Sequence, residues 1–440
     1  MRGIINPLRI IALSAFLVSF TFLSYGQSNN MRQEVSFLAD SVGNRYPASA
    51  GDIAVRNHLL QHFDKCKLEC HEQRFEIVEY VWGTGSLSLS TDDVEKAFTF
   101  GKDFDVAGRS AADTLSAKYV VVAGNLADSL LHLVRGKIVV CYHKAAASGY
   151  GRTTAISDIA KAGGQGVIYV NPPDVKVNHG ETKGNRSAQT HSIPVLLLSH
   201  DQLYAFASRE IIDAMEAGSL YAAPSTSVIS IATQHFEKRI QSANVFGIKR
   251  GVKDKYVIVG AHYDTCAPDP ETGEYRCGAN DNASGVAMIM ALAERMGQIE
   301  TCLNIVFIAF GGEEKGALGS KHFVSNMPFN YEDVVEMINL DMVGRLENET
   351  LYYAQYNGVQ VNLAGLNTGR LRLSECEGSM SDHMDFVHLG IPVTYFNTGE
   401  DPAIHTTADT SGRLNYGGMD QILGFLTSYI TSICGPSDYQ

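Results

Sequence analysis

The sequence predicts an α/β fold with a mixed, mainly parallel sheet flanked by helices and a β-rich domain inserted into it. From about residue 240, apolar strands alternate with amphipathic helices. Between residues 105 and 232, short strands recur with little helix. The 440 residues are 45% hydrophobic and 19% charged, which is a globular composition. We therefore expect residues 27–104 and 233–440 to form one discontinuous domain around a 105–232 insert.

The first 26 residues have the pattern of a secretory signal peptide. Arg2 and Arg9 precede an uncharged, mostly apolar run from Ile10 to Leu23, and small residues lead to a cleavage site after Gly26. A membrane anchor is the weaker alternative, because a spanning helix needs about 20 apolar residues. We therefore expect residues 1–26 to be removed, no stable membrane span afterwards, and a periplasmic or extracellular protein.

The elements before the insert are a helix and a strand. Residues 52–66, "DIAVRNHLLQHFDKC", place apolar side chains at helical spacing. Residues 71–83, "HEQRFEIVEYVWG", alternate like a strand, and we expect a glycine-rich turn directly after them.

Within the insert, four β-rich runs surround one helical stretch at 153–164. The insert has no dense cluster of Asp, Glu and His at its strand ends, so we expect a structural or lid role for it. The predicted strands are 118–124, 136–142, 164–170 and 193–199.

The remaining part alternates strand and helix, as a parallel sheet requires. The predicted helices are 284–297 and 417–433. The predicted strands are 256–262, 304–310, 335–341 and 391–396.

Imidazole and carboxylate side chains follow these strands where each one ends. In open α/β sheets, ligands bind beyond the carboxyl ends of the strands, so five separate segments should meet in one region. Any one of these residues alone is more often a cap or a surface group; the five segments together favour a site. The residues are His262 and Asp264, Asp281, Glu313 and Glu314, Asp341, and His405.

Imidazole and carboxylate are suitable ligands for zinc, and this set exceeds what one tetrahedral ion uses. The set therefore predicts two ions sharing a bridge. Neighbouring side chains of an extended chain point in different directions, so one of Glu313 and Glu314 can bind metal while the other reaches the attacking water. Asp264 could accept the second N–H of the His262 ring and fix its tautomer.

Charge and cysteine content limit the alternatives. The formal net charge of −13 argues against nucleic acid as a partner, because nucleic-acid binding needs a basic surface. Of the eight cysteines, Cys266 and Cys277 are the first candidate disulfide and Cys66 and Cys70 the second. Neither pairing follows from the sequence alone.

Five motifs resemble, in sequence and in order, the zinc-dependent aminopeptidases of peptidase family M28. They are "GAHYDT", "NDNASG", "GGEEKGALGS", "NLDMVG" and "IHTTADT". The resemblance covers roughly residues 31–90 and 240–434, and "SDHMDFVHLGIP" is similar to the segment before the last ligand. The middle part is similar to a protease-associated (PA) domain through "GKIVVC" and "AKAGGQGVIYVN". The resemblance implies a zinc exopeptidase fold of the phosphorylase/hydrolase-like type.

The resemblance also implies ligand roles. His262 and Asp341 would bind one zinc ion, Glu314 and His405 the other, and Asp281 would bridge the two.

Two further residues gain roles from the resemblance. Glu313 would be the general base and Asp264 would orient His262, while the peptide after Asp281 would be cis.

The expected function is that of a secreted di-zinc aminopeptidase acting on peptides with a free N-terminus. Three alternatives remain: a carboxypeptidase of the glutamate carboxypeptidase type, a glutaminyl cyclase, and a non-enzymatic receptor-like homologue. A cyclase would lack the ligands of the second metal, and a receptor-like homologue usually loses ligands, whereas all are present here. The side-chain preference, the oligomeric state and the physiological metal stay open.

Overall fold

The computed structural model describes residues 30–92, 94–107, 110–123, 128–142, 156–173, 191–219, 221–269, 272–359, 363, 366 and 368–435. The predicted signal peptide lies outside these residues. The chain divides into two compact units. We call Val78–Arg239 the insert unit, and the described residues before and after it the α/β unit.

The described residues form fourteen strands and eight α-helices. The strands are β1 (Glu69–Ser90), β2 (Glu95–Phe98), β3 (Phe104–Val106), β4 (Asp113–Ala123), β5 (Ile138–Tyr142), β6 (Gly166–Val170), β7 (Val195–Leu198), β8 (Ala222–Lys249), β9 (Lys253–His262), β10 (Leu303–Phe310), β11 (Val334–Leu340), β12 (Thr350–Tyr356), β13 (Arg372–Glu375) and β14 (Val393–Asn397). The helices are α1 (30–35), α2 (Ala50–Lys65), α3 (156–161), α4 (Arg209–Glu216), α5 (Ser284–Met296), α6 (Leu318–Ser325), α7 (His383–His388) and α8 (Tyr416–Cys434).

The sheet of the α/β unit is mixed and mainly parallel, as predicted. Strands β14, β11, β9 and β10 lie side by side and parallel. Antiparallel neighbours flank them: β12 pairs with β14, and the last residues of β8 pair with β10. The parallel strands end in register, with His262 of β9 opposite Phe310 of β10.

Helices cover both faces of this sheet because successive side chains of a strand point to opposite faces. Val257 and Val259 of β9 belong to a core cluster with residues of α2, α5 and α8. Ile258, between them, belongs to a second cluster with Phe323 of α6 and Phe386 of α7. A parallel sheet buried on both faces needs continuous apolar strands, and β10 is such a run.

The insert unit is β-rich, as predicted. Strands β4, β5, β6 and β7 form a parallel series, bordered by antiparallel β8 and β3. The described part of the predicted 153–164 helix is α3; residues 153–155 lie outside the described residues.

Two expectations from the sequence are wrong. The turn expected after residue 83 does not form, because β1 continues to Ser90 and pairs with β2. Gly85 lies inside this strand, where a Cβ atom would stand 2.4 Å from the carbonyl oxygen of Ala232. Glycine there permits the close approach of a neighbouring backbone and does not mark a turn.

Neither candidate disulfide forms: Cys266 is not bonded to Cys277, and Cys66 is not bonded to Cys70. The thiols of the first candidate pair have separate partners: Cys266 donates to Glu314 and Cys277 to the carbonyl oxygen of Tyr275. Among the described helices, none combines the length and the apolar character that crossing a bilayer requires.

Candidate metal and active site

The predicted site residues meet at one edge of the α/β sheet. Because β9, β10 and β11 are parallel, their carboxyl ends lie together. His262 is the last residue of β9, and Asp341 directly follows β11. Glu313 and Glu314 follow β10 through Gly312, whose φ of +74° favours glycine.

The first group of donor atoms comprises His262, Asp281 and Asp341, all buried. The Nε2 atom of His262 lies 3.2 Å from Oδ1 of Asp281 and 3.6 Å from Oδ1 of Asp341. Oδ1 of Asp341 is buried and accepts no hydrogen bond from any described residue. A buried carboxylate oxygen without a donor is costly, so this group has the capacity for a cation.

The second group comprises Cys266, Glu314 and His405, and it is less buried than the first. The Nε2 atom of His405 lies 3.2 Å from Oε2 of Glu314. The Sγ atom of Cys266 donates to the same oxygen over 2.9 Å. One ligand atom from each residue lies within 4.8 Å of the other two.

Asp281 connects the two groups. Its Oδ1 faces His262 at 3.2 Å, and its Oδ2 faces Nε2 of His405 at 3.1 Å. Burial alone would raise the pKa of Asp281, but hydrogen bonds from these two imidazoles hold it well below its usual range. The carboxylate is therefore ionised and can bind a cation with each oxygen.

Both imidazoles are basic in this arrangement. Burial opposes a charge on His262, but the nearby carboxylates of Asp341, Asp264 and Asp281 hold its pKa well above the usual value. The hydrogen bond to Asp281 raises the pKa of His405. Without metal, protons on these two rings offset the negative charge of the carboxylates. A bound metal cation would replace these protons. Two groups of imidazole and carboxylate donors, the second with a thiol beside it, share one carboxylate, and this donor set fits a pair of zinc ions.

Asp264 has a contact that the sequence did not predict. Its two oxygens accept hydrogen bonds from the backbone N–H groups of Glu313 and Glu314, at 3.0 and 3.2 Å. Its distance to Nδ1 of His262 is 3.7 Å, which is too long for a hydrogen bond. Asp264 thus fixes the turn that carries the two glutamates.

The Glu313 side chain belongs to the same charged cluster. Burial raises its pKa, His262 opposes that effect, and Asp382 and Asp341 add to it. Asp382 is fully buried, and burial raises its own pKa to about 8. A carboxyl group with a raised pKa beside opposite charges is typical of functional sites.

The loop that carries Asp281 is held from two sides. The peptide between Asp281 and Asn282 is cis, as the resemblance implied. Asp409 accepts hydrogen bonds from the N–H groups of Asn280 and Asp281, at 2.8 and 3.0 Å. Asn282 donates to the carbonyl oxygen of Leu340, at the end of β11, over 2.9 Å. These contacts fix Asp281 relative to Asp341.

A buried arginine ties the same loops together. Arg45 is fully buried and donates to the backbone carbonyl oxygens of Tyr263, at 2.7 Å, and Gly278, at 2.8 Å. Tyr263 separates His262 from Asp264, and Gly278 lies just before Asp281. Arg45 therefore holds both segments in place while satisfying their buried carbonyl groups.

The sequence predicted no role in the site for Cys266, Asp382, Asp409 or Arg45. Asp409 and Asp382 lie within the quoted segments "IHTTADT" and "SDHMDFVHLGIP", so a signal for them was present. Cys266 was considered only as half of a disulfide. Arg45 acts through backbone groups distant in sequence, for which the sequence offers no pattern.

Comparison with known proteins finds two family models that match this chain. Residues 244–430 match the family model of peptidase family M28, and residues 95–206 match that of the PA domain. Aminopeptidase YwaD of Bacillus subtilis is 29% identical over 43% of this chain and 44% of its own length. An aminopeptidase of Pseudomonas aeruginosa is 25% identical over 85% of this chain and 71% of its own.

A solved structure shares the fold. The aminopeptidase from Aneurinibacillus sp. strain AM-1 aligns over 93% of this chain and 94% of its own, with a TM-score of 0.63 and 24% identity. Residues 244–430 thus match peptidase family M28 and residues 95–206 match the PA domain family, and both matches support assignment to the metallopeptidases.

Proposed function

We propose that this protein is an exported aminopeptidase with two zinc ions, which removes N-terminal residues from peptides. One observation carries the proposal: the two oxygens of Asp281 lie 3.2 and 3.1 Å from the Nε2 atoms of His262 and His405. A carboxylate between two imidazoles of separate donor groups is the arrangement that a bridging ligand needs. The names of the bacterial relatives support the reaction class.

The ligand roles follow the two donor groups. His262 and Asp341 would hold one ion, Glu314 and His405 would hold the other, and Asp281 lies between the two groups as the shared ligand. When bound, a zinc pair supplies Lewis acidity toward the peptide carbonyl group and toward a water molecule.

Glu313 moves the proton. It accepts a proton from the attacking water and returns it to the amine that leaves. The backbone N–H groups of Glu313 and Glu314 donate hydrogen bonds to Asp264, which fixes the turn that directs the two side chains to different positions. Asp264 also lies 3.7 Å from Nδ1 of His262, where its charge favours the ring orientation that directs Nε2 toward Asp281.

The carboxylates also explain a preference for chain ends. A free α-amine carries a positive charge at neutral pH, and an acidic site attracts it. An internal peptide bond offers no such charge. The formal net charge of −13 is consistent with peptide substrates and with the absence of a nucleic-acid partner.

The domain arrangement and the export are part of the proposal. Residues 27–104 and 233–440 form the peptidase domain, 105–232 form the PA-like insert, and 1–26 direct export to the periplasm or the medium. The pattern of Arg2, Arg9 and the apolar run after them supports export.

A panel of aminoacyl anilides tests the reaction. The purified chain should release the anilide from free aminoacyl substrates and leave N-acetylated ones intact. A chelator should abolish the release, and zinc should restore it with two ions bound per chain by metal analysis. The panel also measures the side-chain preference.

Dipeptides with one blocked end separate the alternatives. Hydrolysis of amino-blocked but not carboxyl-blocked dipeptides would indicate a carboxypeptidase. Formation of pyroglutamate from peptides beginning with Gln would indicate a glutaminyl cyclase. Neither zinc uptake nor hydrolysis would indicate a non-enzymatic homologue. Each of these three results contradicts the proposal.

A further inference from the structure

We propose that Cys266 is a further metal ligand, whose thiolate binds the ion held by Glu314 and His405. This inference rests on the proposed two-ion site, because it adds a donor to one of its two positions. It concerns a residue for which the sequence pattern gave no metal-binding role.

The position of the thiol carries the inference. Cys266 lies two residues after Asp264, in the loop that leaves β9 at the site edge. Its Sγ atom lies 2.9 Å from Oε2 of Glu314, and that oxygen lies 3.2 Å from Nε2 of His405. Zinc bonds are about 2.3 Å to sulfur and about 2.0 Å to nitrogen or oxygen, so one ion can reach all three atoms.

Space for an ion lies beside the thiol. A small cavity borders Cys266, Glu314 and His405, and Asp281 also lines it. Oδ2 of Asp281 faces His405 at 3.1 Å, on the side of the second donor group. Sulfur, nitrogen and two carboxylates thus converge on one space, which gives four protein donors without any rearrangement of the fold.

The two metal positions would then differ in chemistry. The His262 group offers only nitrogen and oxygen donors and is buried, whereas the Cys266 group adds sulfur and is partly exposed. A thiolate favours zinc, cobalt and cadmium over magnesium and manganese. On binding, the S–H bond breaks, a sulfur–metal bond forms, and the proton leaves to solvent. The protein without metal keeps the proton on sulfur, in the hydrogen bond to Glu314.

Cobalt substitution tests the thiolate directly. The full chain is stripped with a chelator, reloaded with Co²⁺, and its near-ultraviolet absorption is recorded against bound cobalt. Thiolate coordination gives an intense sulfur-to-cobalt charge-transfer band, which nitrogen and oxygen ligands do not. We expect this band in the natural chain and its loss in Cys266→Ser, with the weaker visible bands of cobalt retained.

Cys277→Ser is the matched control, because it removes another thiol of the same loop and should keep the band. Cys266→Ala repeats the test with a side chain that cannot bind metal, and far-ultraviolet circular dichroism checks folding. A band that persists in both Cys266 variants overturns the inference. The inference is also overturned if the natural chain binds two cobalt ions and hydrolyses free aminoacyl anilides but shows no charge-transfer band. That result would leave the proposed function intact. A natural chain that binds no cobalt overturns both.

Discussion

The α/β unit and the insert unit are built alike but differ in what they bury. Each contains parallel strands whose side chains are almost all apolar and buried, such as β10 and β5. Among the described residues of the insert unit, the buried polar side chains are neutral: Ser110, Asn171 and Thr233. The α/β unit buries charged groups at its strand ends, including His262, Asp264 and Asp341.

Buried charged side chains distinguish the unit that contains the candidate site from the unit that does not. Removing a charge from water is costly unless a partner or a metal compensates it, so buried charge is retained where function requires it. A parallel sheet alone therefore does not indicate activity. The cluster of buried acids and imidazoles at one sheet edge does, and only the α/β unit has it among the described residues.

The largest expected effect is that of Glu313→Gln on turnover. Loss of the general base should lower kcat by about 10²- to 10⁴-fold on a leucyl anilide, with zinc content unchanged. Glu216→Gln is the matched control in the insert unit, where Glu216 accepts a hydrogen bond from Tyr142. The control should keep its turnover. A near-normal kcat in Glu313→Gln would show that Glu313 is not the general base. A similar loss of kcat in Glu313→Gln and Glu216→Gln would show that the effect is not specific to the α/β unit.

A smaller effect is expected for Asp409→Asn on metal affinity. Asp409 accepts from the N–H groups of Asn280 and Asp281, so losing its charge should loosen the loop that presents the bridging carboxylate. Groups that orient ligands are worth about 10- to 100-fold in metal affinity. Competition with a chromophoric chelator measures the change.

Asp103→Asn supplies the comparison from the insert unit, since Asp103 also accepts from a backbone N–H, that of Thr99. It should leave zinc affinity unchanged. Equal zinc affinities in Asp409→Asn and the natural chain would show that the loop needs no support from Asp409.

The smallest effect concerns Glu336, a buried acid of β11 outside both donor groups. Tyr429 and Thr394 donate hydrogen bonds to it at 2.5 and 2.7 Å, yet burial raises its pKa above the usual 4.5. The folded protein then binds this proton more tightly than the unfolded chain does. Its contribution to stability is complete below pH 4.5 and is lost as the pH rises through the folded pKa.

Glu336→Gln cannot ionise, but its oxygen can accept the same two hydrogen bonds. Relative to the natural chain, its free energy of unfolding should therefore improve as the pH rises from 4.5 to neutrality, as measured by urea denaturation at several pH values. The exposed Glu332→Gln should show no such trend. A constant difference between Glu336→Gln and the natural chain across that range would mean that the pKa of Glu336 is the same in the folded and the unfolded chain, which contradicts the prediction.

The sequence by itself determined the kind of fold and the chemical identity of the site. Alternating apolar strands and helices require a sheet covered on both faces, and β9, β10 and β11 followed from that pattern. Parallel strands end at one edge, so His262, Glu313 and Asp341 could be expected to meet before any coordinates existed. These inferences depend only on local periodicity and on the geometry of parallel sheets.

Only the tertiary structure decided which groups touch. It showed Asp264 bonded to the amides of Glu313 and Glu314, Asp409 beneath the Asp281 loop, and Cys266 beside Glu314 and not joined to Cys277. The tertiary structure also showed that β1 continues past Gly83 and Gly85, where the sequence predicted a turn. Such contacts join residues that are far apart in the chain. Whether they form depends on how the folded elements place these residues in space, which a local pattern of residue types does not encode.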